Sequence, residues 1–219
     1  LWKTDQTGPV GGFSSASDRG PAQILAWTQG RTMKPHFTEH YSSSSPILGI
    51  DPGLDTTGYG VLEVRDGKIV IREAGVIRTT PDESLGSRVE QIYDGMRDLI
   101  TSFHPSIMAV ELLHSTYDHP QTAILMGHAR GVICLAAAQE AVPIAGYRPT
   151  QVKKMLTGSG RASKDQMQRA IQTEFRLKEP PSPPDVADAI AVALCHFYIQ
   201  RLSEKTTISP AKGTVKASS

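Results

Sequence analysis

Residues 47–53 have the sequence ILGIDPG, a run of small and branched apolar residues that stops at an aspartate, a proline and a glycine. A short apolar run bounded by turn residues is typical of a strand that is buried on both faces of a sheet. Asp51 is therefore predicted to stand at the carboxyl end of a buried strand, where α/β sheets usually bind their ligands. A turn-forming aspartate before a proline is the alternative interpretation of this motif alone.

The residues that follow predict two more strands and a helix. Gly58 to Val64 alternates between apolar and polar residues, Asp66-Gly67 is a hairpin turn signal, and Lys68 to Arg78 alternates again. Apolar residues then recur at helical spacing from Leu85 to Phe103, and Pro105 ends that helix. The three strands are therefore expected to be antiparallel neighbours.

The remainder of the chain predicts alternating strands and helices. They are a strand at 107–113, a helix at 120–139, a strand at 142–147, a helix from Pro149 to near Gly158, a helix capped at Ser163 and an Ala-rich helix at 185–202. The fold class is α/β, a mixed five-stranded sheet in which three antiparallel strands precede two βα crossovers. The first strand is expected at the centre, with helices on both faces.

We expect one folded domain, residues 46–203, between two disordered segments. Residues 1–45 are rich in Gly, Ser, Thr, Gln and Pro without periodicity, and residues 204–219 offer little to bury. The chain does not begin with methionine, so a start site assigned too early, with Met33 as the initiator, is one explanation of the first segment.

The sequence contains no run of eighteen apolar residues, so no membrane-spanning helix is predicted. Cys134 and Cys195 are predicted to be small buried hydrophobes in a reducing compartment, which favours the cytoplasm.

The net charge is only +1, but basic residues are concentrated in one stretch. Between Tyr147 and Lys178, two acidic residues are opposed by eight basic ones: Arg148, Lys153, Lys154, Arg161, Lys164, Arg169, Arg176 and Lys178. Such a stretch is either a phosphate-binding face or a solvated helix surface.

Three more acidic residues stand out by their positions: one lies within an apolar strand, and two lie close together on one helix. Glu111 interrupts an apolar strand, and a buried strand does not accommodate a glutamate unless the charge is paired or binds a metal. Asp185 and Asp188 are spaced i, i+3 on one helix, although an interaction with the helix dipole would also explain them. If these carboxylates converge with Asp51, they suit Mg²⁺ or Mn²⁺, and a paired-metal site can hydrolyse a phosphodiester.

Several motifs, in order and at compatible spacing, resemble the RuvC-type crossover junction endodeoxyribonucleases. They are ILGIDPG at 47–53, TGYGV at 57–61, GHARGV at 127–132, QVKK at 151–154, TGSG at 157–160, ASK at 162–164 and DVADA at 185–189. The resemblance extends from about Ile47 to Tyr198, which is nearly the whole predicted domain. It implies an RNase H-like fold in which Asp51, Glu111, Asp185 and Asp188 are the catalytic and metal-binding residues.

The resemblance further implies a homodimer that resolves four-way (Holliday) DNA junctions during homologous recombination and DNA repair. Two symmetric nicks would leave 5′ phosphates and 3′ hydroxyls, with two Mg²⁺ ions per subunit for which Mn²⁺ can substitute. A branch-migration helicase complex of the RuvA and RuvB type is the implied partner. The second helix, around Gly127 and Gly131, is the expected dimer contact, although ordinary packing on the sheet explains any single residue equally well.

The resemblance also implies DNA contacts, with one departure from the family. Lys153 and Lys164 match family lysines near the scissile DNA, and Lys154 and Arg161 belong to the same basic stretch. Family members often carry a base-stacking aromatic residue three positions after the strand glutamate, and here that residue is His114. His114 or the nearby Tyr117 is expected to stack on a junction base instead.

Two other classes of function compete with a nuclease. GIDPG at 49–53 followed by TTG at 56–58 also resembles the first phosphate loop of actin-like ATPases and sugar kinases, but those enzymes need a second phosphate loop and a longer chain. A non-catalytic DNA-binding scaffold is the other possibility. It would have no use for four clustered carboxylates, which repel phosphate unless a metal neutralises them.

Overall fold

The computed structural model describes residues 45–113 and 120–207, with side chains placed as far as Glu204. Five strands form one sheet: β1 (Ile47–Asp51), β2 (Thr56–Arg65), β3 (Lys68–Arg78), β4 (Ile107–Glu111) and β5 (Ile144–Tyr147). Their order is β3-β2-β1-β4-β5, so β1 is central as predicted. The pairs β1–β2 and β2–β3 are antiparallel, whereas β1–β4 and β4–β5 are parallel. The predicted mixed five-stranded sheet is therefore confirmed.

Five helices are described: α1 (Leu85–Phe103), α2 (Pro120–Gln139), α3 (Pro149–Thr157), α4 (Lys164–Phe175) and α5 (Pro184–Thr207). Local sequence explains where they begin and end. The Ser84 side chain accepts a hydrogen bond from Ser87 N at the start of α1, and His104 ends the helix in a left-handed conformation. The predicted capping box of α4 is present, with Ser163 and Gln166 bonding each other's backbone amides.

Alternate residues of the central strands point to opposite faces of the sheet. Ile47 faces a core that includes buried residues of α3, α4 and α5, whereas Leu48 and Ile50 face a second core shared with α1 and α2. The helices thus cover both faces, as predicted. Ile47, Gly49 and Asp51 are alternate residues of β1, so all three point to the same face of the sheet. Asp51 therefore points to the face that α5 covers.

Several predicted boundaries were wrong by a few residues. The strand predicted at 107–113 ends at Glu111, because in the described residues up to 113 a single further ladder hydrogen bond follows, from Leu112 N to Tyr147 O at 2.8 Å. The strand predicted at 142–147 begins at Ile144, after Pro143, which has no amide to donate. The last helix continues to Thr207 rather than ending at residue 202.

Other predictions are tested only in part. Cys195 is buried, but Cys134 is only half-buried, and both thiols are free. No helix within the described ranges is long and apolar enough to cross a membrane. The predictions of disorder at residues 1–45 and 204–219 fall mainly on segments outside the described residues.

Candidate active site

Two carboxylates lie side by side at the carboxyl ends of neighbouring parallel strands. Ile50 of β1 pairs with Val110 of β4, so Asp51 and Glu111 are the next residues on adjacent strands, about 4.8 Å apart along the hydrogen-bonding direction. Because both follow the same alternation, both side chains point to the α5 face. This arrangement is the one that the two strand motifs predicted.

Glycines in β1 and β2 allow the backbone of α5 to contact the backbone of these strands. A Cβ on Gly49 would lie 2.2 Å from the Ala189 carbonyl oxygen, and one on Gly58 would lie 2.1 Å from the Asp185 carbonyl oxygen. Gly58 is the residue that pairs with Asp51 across the β1–β2 ladder. The first turn of α5, which carries Asp185, is therefore pressed against the strand position beside Asp51, and Asp188 follows on the same side of the helix.

The loop after Asp51 is held by hydrogen bonds that sequence reasoning did not identify. The buried Thr57 hydroxyl donates to the Gly53 carbonyl at 2.7 Å and closes the turn. The Thr79 hydroxyl donates to the Leu54 carbonyl at 2.8 Å, which ties the loop to the end of β3. The loop that follows Asp51 is therefore fixed at two points.

These elements surround a cleft of about 500 Å³. The four predicted acids and two of the predicted lysines all line it: Asp51, Glu111, Asp185, Asp188, Lys153 and Lys164. Residues that the sequence did not single out also line it, including Thr122 and Met126 of α2 and Asp55 of the loop. The cleft thus lies at the carboxyl ends of β1 and β4 and is lined by helices from both faces of the sheet.

Burial and mutual repulsion make ionisation of these acids costly. Burial, followed by the Glu111, Asp188 and Asp185 carboxylates, raises the pKa of Asp51 to about 8. Burial and the Asp188 carboxylate raise the pKa of Glu111 to about 7, and burial is the main cause that raises the pKa of Asp188. The Lys164 ammonium opposes all three shifts. A cluster of this kind is stabilised in its charged form by cations.

The donor set fits a hard divalent cation. Carboxylate oxygens are the ligands that Mg²⁺ and Mn²⁺ prefer, and no cysteine or histidine lines the cleft within the described ranges; the sulfur atoms there are the thioethers of Met126 and Met167. Within residues 45–113 and 120–207, however, no three acidic, His or Cys side chains are already gathered around one metal position. The carboxylates share a cleft rather than a closed cage, which suits an ion that keeps some water ligands, as Mg²⁺ does.

The basic stretch divides between different surfaces and does not form one continuous face. Lys153 and Lys164 point into the cleft, whereas Lys154 and Arg161 are exposed and do not line it. Arg169 pairs with Asp165 one helical turn away, and Arg176 lines a separate groove beside β3. The spacing along the chain could not predict this division. His114 and Tyr117, the predicted stacking residues, lie outside the described residues.

Helix α2 connects the cleft to an exposed apolar surface. A guanidinium nitrogen of Arg130 donates to the Glu111 carbonyl at 3.1 Å. Ile124, Leu125 and Leu135 of the same helix are 62%, 41% and 49% exposed. A Cβ on Gly127 or Gly131, the predicted dimer-contact glycines, would meet no atom within 4 Å. Helix α2 thus presents large apolar side chains and open glycines to solvent.

Comparison with known proteins is consistent across sequence and structure. A family model described as crossover junction endodeoxyribonuclease RuvC matches residues 47–196. A crossover junction endodeoxyribonuclease RuvC from Rhodopirellula baltica is 49% identical over 162 residues, which cover 74% of this chain and 91% of that protein. The solved structure of Thermus thermophilus RuvC in complex with a Holliday junction substrate is 34% identical and has a TM-score of 0.68. That match covers 73% of this chain and 96% of the other.

Proposed function

The chain belongs to the RuvC family of crossover junction endodeoxyribonucleases, and we propose that it cuts DNA at the cleft formed by Asp51, Glu111, Asp185 and Asp188. It is an endodeoxyribonuclease that resolves Holliday junctions in DNA recombination. The observation that carries the site assignment is the meeting of four carboxylates, from two strand ends and one helix, in a single cleft.

The enzyme is metal-dependent, and we propose two Mg²⁺ ions per subunit, with Mn²⁺ as a substitute. Asp51 and Glu111 would hold the ions from the sheet, and Asp185 and Asp188 from α5. When bound, such ions activate water and stabilise the leaving oxygen of a phosphodiester. The raised pKa values of Asp51 and Glu111 support this assignment, because these side chains carry a cost of ionisation that divalent cations relieve.

Two lysines complete the proposed chemistry. Lys164 stands at the first turn of α4 and is close enough to Asp51, Glu111 and Asp188 to affect their ionisation, as Lys153 is to Glu111. Their ammonium groups would attract the phosphate into a cleft that otherwise repels it, and Lys164 would stabilise the charge that grows on the phosphate during hydrolysis. The proposed products are a 5′ phosphate and a 3′ hydroxyl.

We propose that the active molecule is a homodimer assembled through α2. Two cleavage sites related by a two-fold axis match the symmetry of a four-way junction. The exposed side chains of Ile124 and Leu135, with the open glycines between them, provide an apolar surface of the kind that dimers bury. By the same family assignment, a branch-migration helicase of the RuvA and RuvB type is the proposed partner, and the cytoplasm the proposed location.

The test of the site uses a mobile synthetic four-way junction, with linear duplex as the control substrate, with and without Mg²⁺. Asp51→Asn is expected to bind the junction as the unaltered protein does but to lose cleavage, because it removes a metal-binding charge while keeping the side-chain shape. Asp55→Asn is the matched control: its carboxylate lines the same cleft but is exposed and paired with Arg88. Cleavage by Asp51→Asn at close to the unaltered rate would refute the assignment.

The dimer is tested by sedimentation with two exposed leucines on different helices. Leu135→Glu on α2 is expected to give monomers, whereas Leu202→Glu near the end of α5, where the leucine is 56% exposed, is expected to leave the dimer intact. If Leu135→Glu also sediments as a dimer, a different surface joins the subunits.

A further inference from the structure

A groove of about 650 Å³ lies beside β3, at the opposite end of the sheet from the cleft. Along strand β2, Gly58 pairs with Asp51 and Arg65 pairs with Lys68. Seven residues of strand separate these two levels, which corresponds to about 23 Å. The groove is therefore separate from the proposed catalytic site.

One wall of the groove is the free edge of the sheet. Within the described ranges no strand pairs with the outer side of β3, which is the first strand in the sheet order. Lys68, Ile69, Val70 and Ile71 all line the groove, although successive side chains of a strand point to opposite faces. A cavity that touches four successive residues runs along the edge of the strand, where backbone amides and carbonyls are available for another strand.

Three apolar side chains line the groove on the side opposite β3. Phe175 and Leu177 contribute from the end of α4, and Phe197 from α5; all three belong to or pack on the core of that face. A segment that paired with β3 would direct every second side chain towards these residues. Apolar side chains at alternate positions are therefore the pattern that the groove would accept.

The polar rim is mostly cationic. Lys68, Arg176 and Arg201 line the groove, and the guanidinium of Arg201 lies 5.4 Å from the centre of the Phe197 ring. Glu174 is the acidic residue among the lining side chains, and it accepts a hydrogen bond from the Tyr198 hydroxyl. Acidic side chains on the bound segment would complement this rim.

The two terminal segments of the chain outside the described residues do not offer that charge. Residues 1–44 contain four Lys or Arg and three Asp or Glu, and residues 208–219 contain two Lys and no acidic residue. Nucleic acid is disfavoured as well, because phosphodiesters need polar partners along their length, whereas Phe175, Leu177 and Phe197 interrupt the polar lining of this groove. We propose that the groove binds an extended, acidic peptide segment of another protein, which adds to β3 as a further strand and places alternate apolar side chains on Phe175, Leu177 and Phe197.

Fluorescence anisotropy with the full-length protein tests this proposal. The probe is a labelled ten-residue peptide in which aspartate alternates with valine and phenylalanine, and the comparison peptide carries lysine in place of aspartate. We expect saturable binding of the acidic peptide that weakens with salt, at least tenfold weaker binding of the lysine peptide, and new protection from hydrogen exchange of those amides between Lys68 and Ile71 that face away from β2.

Charge reversal identifies the surface. Lys68→Glu combined with Arg201→Glu should weaken acidic-peptide binding at least tenfold, whereas Arg97→Glu on α1, on the other face of the sheet, should not. Both variants should cleave a four-way junction at the unaltered rate, so a failure of the groove proposal is distinguishable from a failure of the catalytic assignment. Equal binding of the two peptides, absence of binding, or displacement of the acidic peptide by single-stranded DNA would each overturn the proposal.

Discussion

The two faces of the sheet are built from different residues. On the face of α1 and α2, the central strands present Leu48, Ile50, Met108 and Val110, all fully buried. On the face of α5, β1 and β4 begin with the large residues Ile47 and Ile107, but the alternate positions after them are small or acidic: Gly49, Asp51, Ala109 and Glu111. Towards the carboxyl ends of these strands, one face therefore fills space with large side chains, and the other leaves room for a helix backbone.

Because of this difference, the face of α1 and α2 contributes mainly to the stability of the fold, and the face of α5 contributes mainly to the proposed active site. Large aliphatic side chains remove most apolar area from water and stabilise the fold. Small residues bury less, but they let α5 come close enough for its first turn to share a cleft with the strand carboxylates. Substitutions on the two faces should therefore have different consequences.

The largest expected effect is on stability and comes from the α1 face. Ile92 of α1 is completely buried, so Ile92→Ala should lower the free energy of unfolding by about 2–5 kcal/mol through lost burial and a cavity. Urea denaturation measures this loss, and junction cleavage at low temperature should remain near normal because the cleft is unchanged. Ile144→Ala, at a position 38% exposed, is the control and should cost clearly less. A large loss of cleavage by folded Ile92→Ala would break the separation between the two faces.

The next effect is on catalysis and comes from the α5 face. Gly58→Ala would place a methyl group 2.1 Å from the Asp185 carbonyl oxygen, so α5 must shift and carry its two aspartates away from Asp51. Because an error of about 1 Å in position can cost about a hundredfold in rate, we expect cleavage to fall by about that factor. Gly86→Ala is the matched control, since the nearest atom to its Cβ would be 3.8 Å away. Equal cleavage rates of the two variants would mean that the close approach of α5 does not position the site.

The same contact marks the limit of what the sequence predicts. Asp51 and Glu111 were identifiable because each ends an apolar strand, and Asp185 with Asp188 because their spacing puts them on one side of a helix. Which helix lies on Gly58 was not predictable, since that depends on contacts between residues more than a hundred positions apart. The Arg130 bond to the Glu111 carbonyl has no sequence signal at all, because a backbone acceptor leaves no trace in residue type.

A smaller effect tests the division of the basic stretch. Lys153 lines the cleft, while its neighbour Lys154 is exposed and does not. Lys153→Ala should lower cleavage about tenfold, or about 1.4 kcal/mol, and reduce the salt dependence of junction binding. Lys154→Ala should change binding only slightly and leave the rate of cleavage of bound junction unaffected. If the two variants behave alike, both lysines act through general electrostatic attraction to DNA, and Lys153 has no specific role in cleavage at the cleft.

The last effect concerns pH and metal. With a chelator present, folded Asp51 titrates near pH 8 against an ordinary pKa of 3.8, so between these values the folded protein holds a proton that the unfolded chain lacks. Stability should therefore fall as pH rises from about 4 to 8, by no more than about 1.4 kcal/mol per pH unit from this group. Urea denaturation at pH 5 and pH 8 measures the slope, which Asp51→Asn should reduce and the exposed Asp55→Asn should not; part of the slope should remain in Asp51→Asn, because the pKa values of Glu111 and Asp188 are raised as well. Mg²⁺ should stabilise the protein more at pH 8 than at pH 5, because protons compete with the ion for the same carboxylates. A stabilisation by Mg²⁺ that is independent of pH and survives in Asp51→Asn would place the ion elsewhere, and the small residues of the α5 face would then serve packing alone.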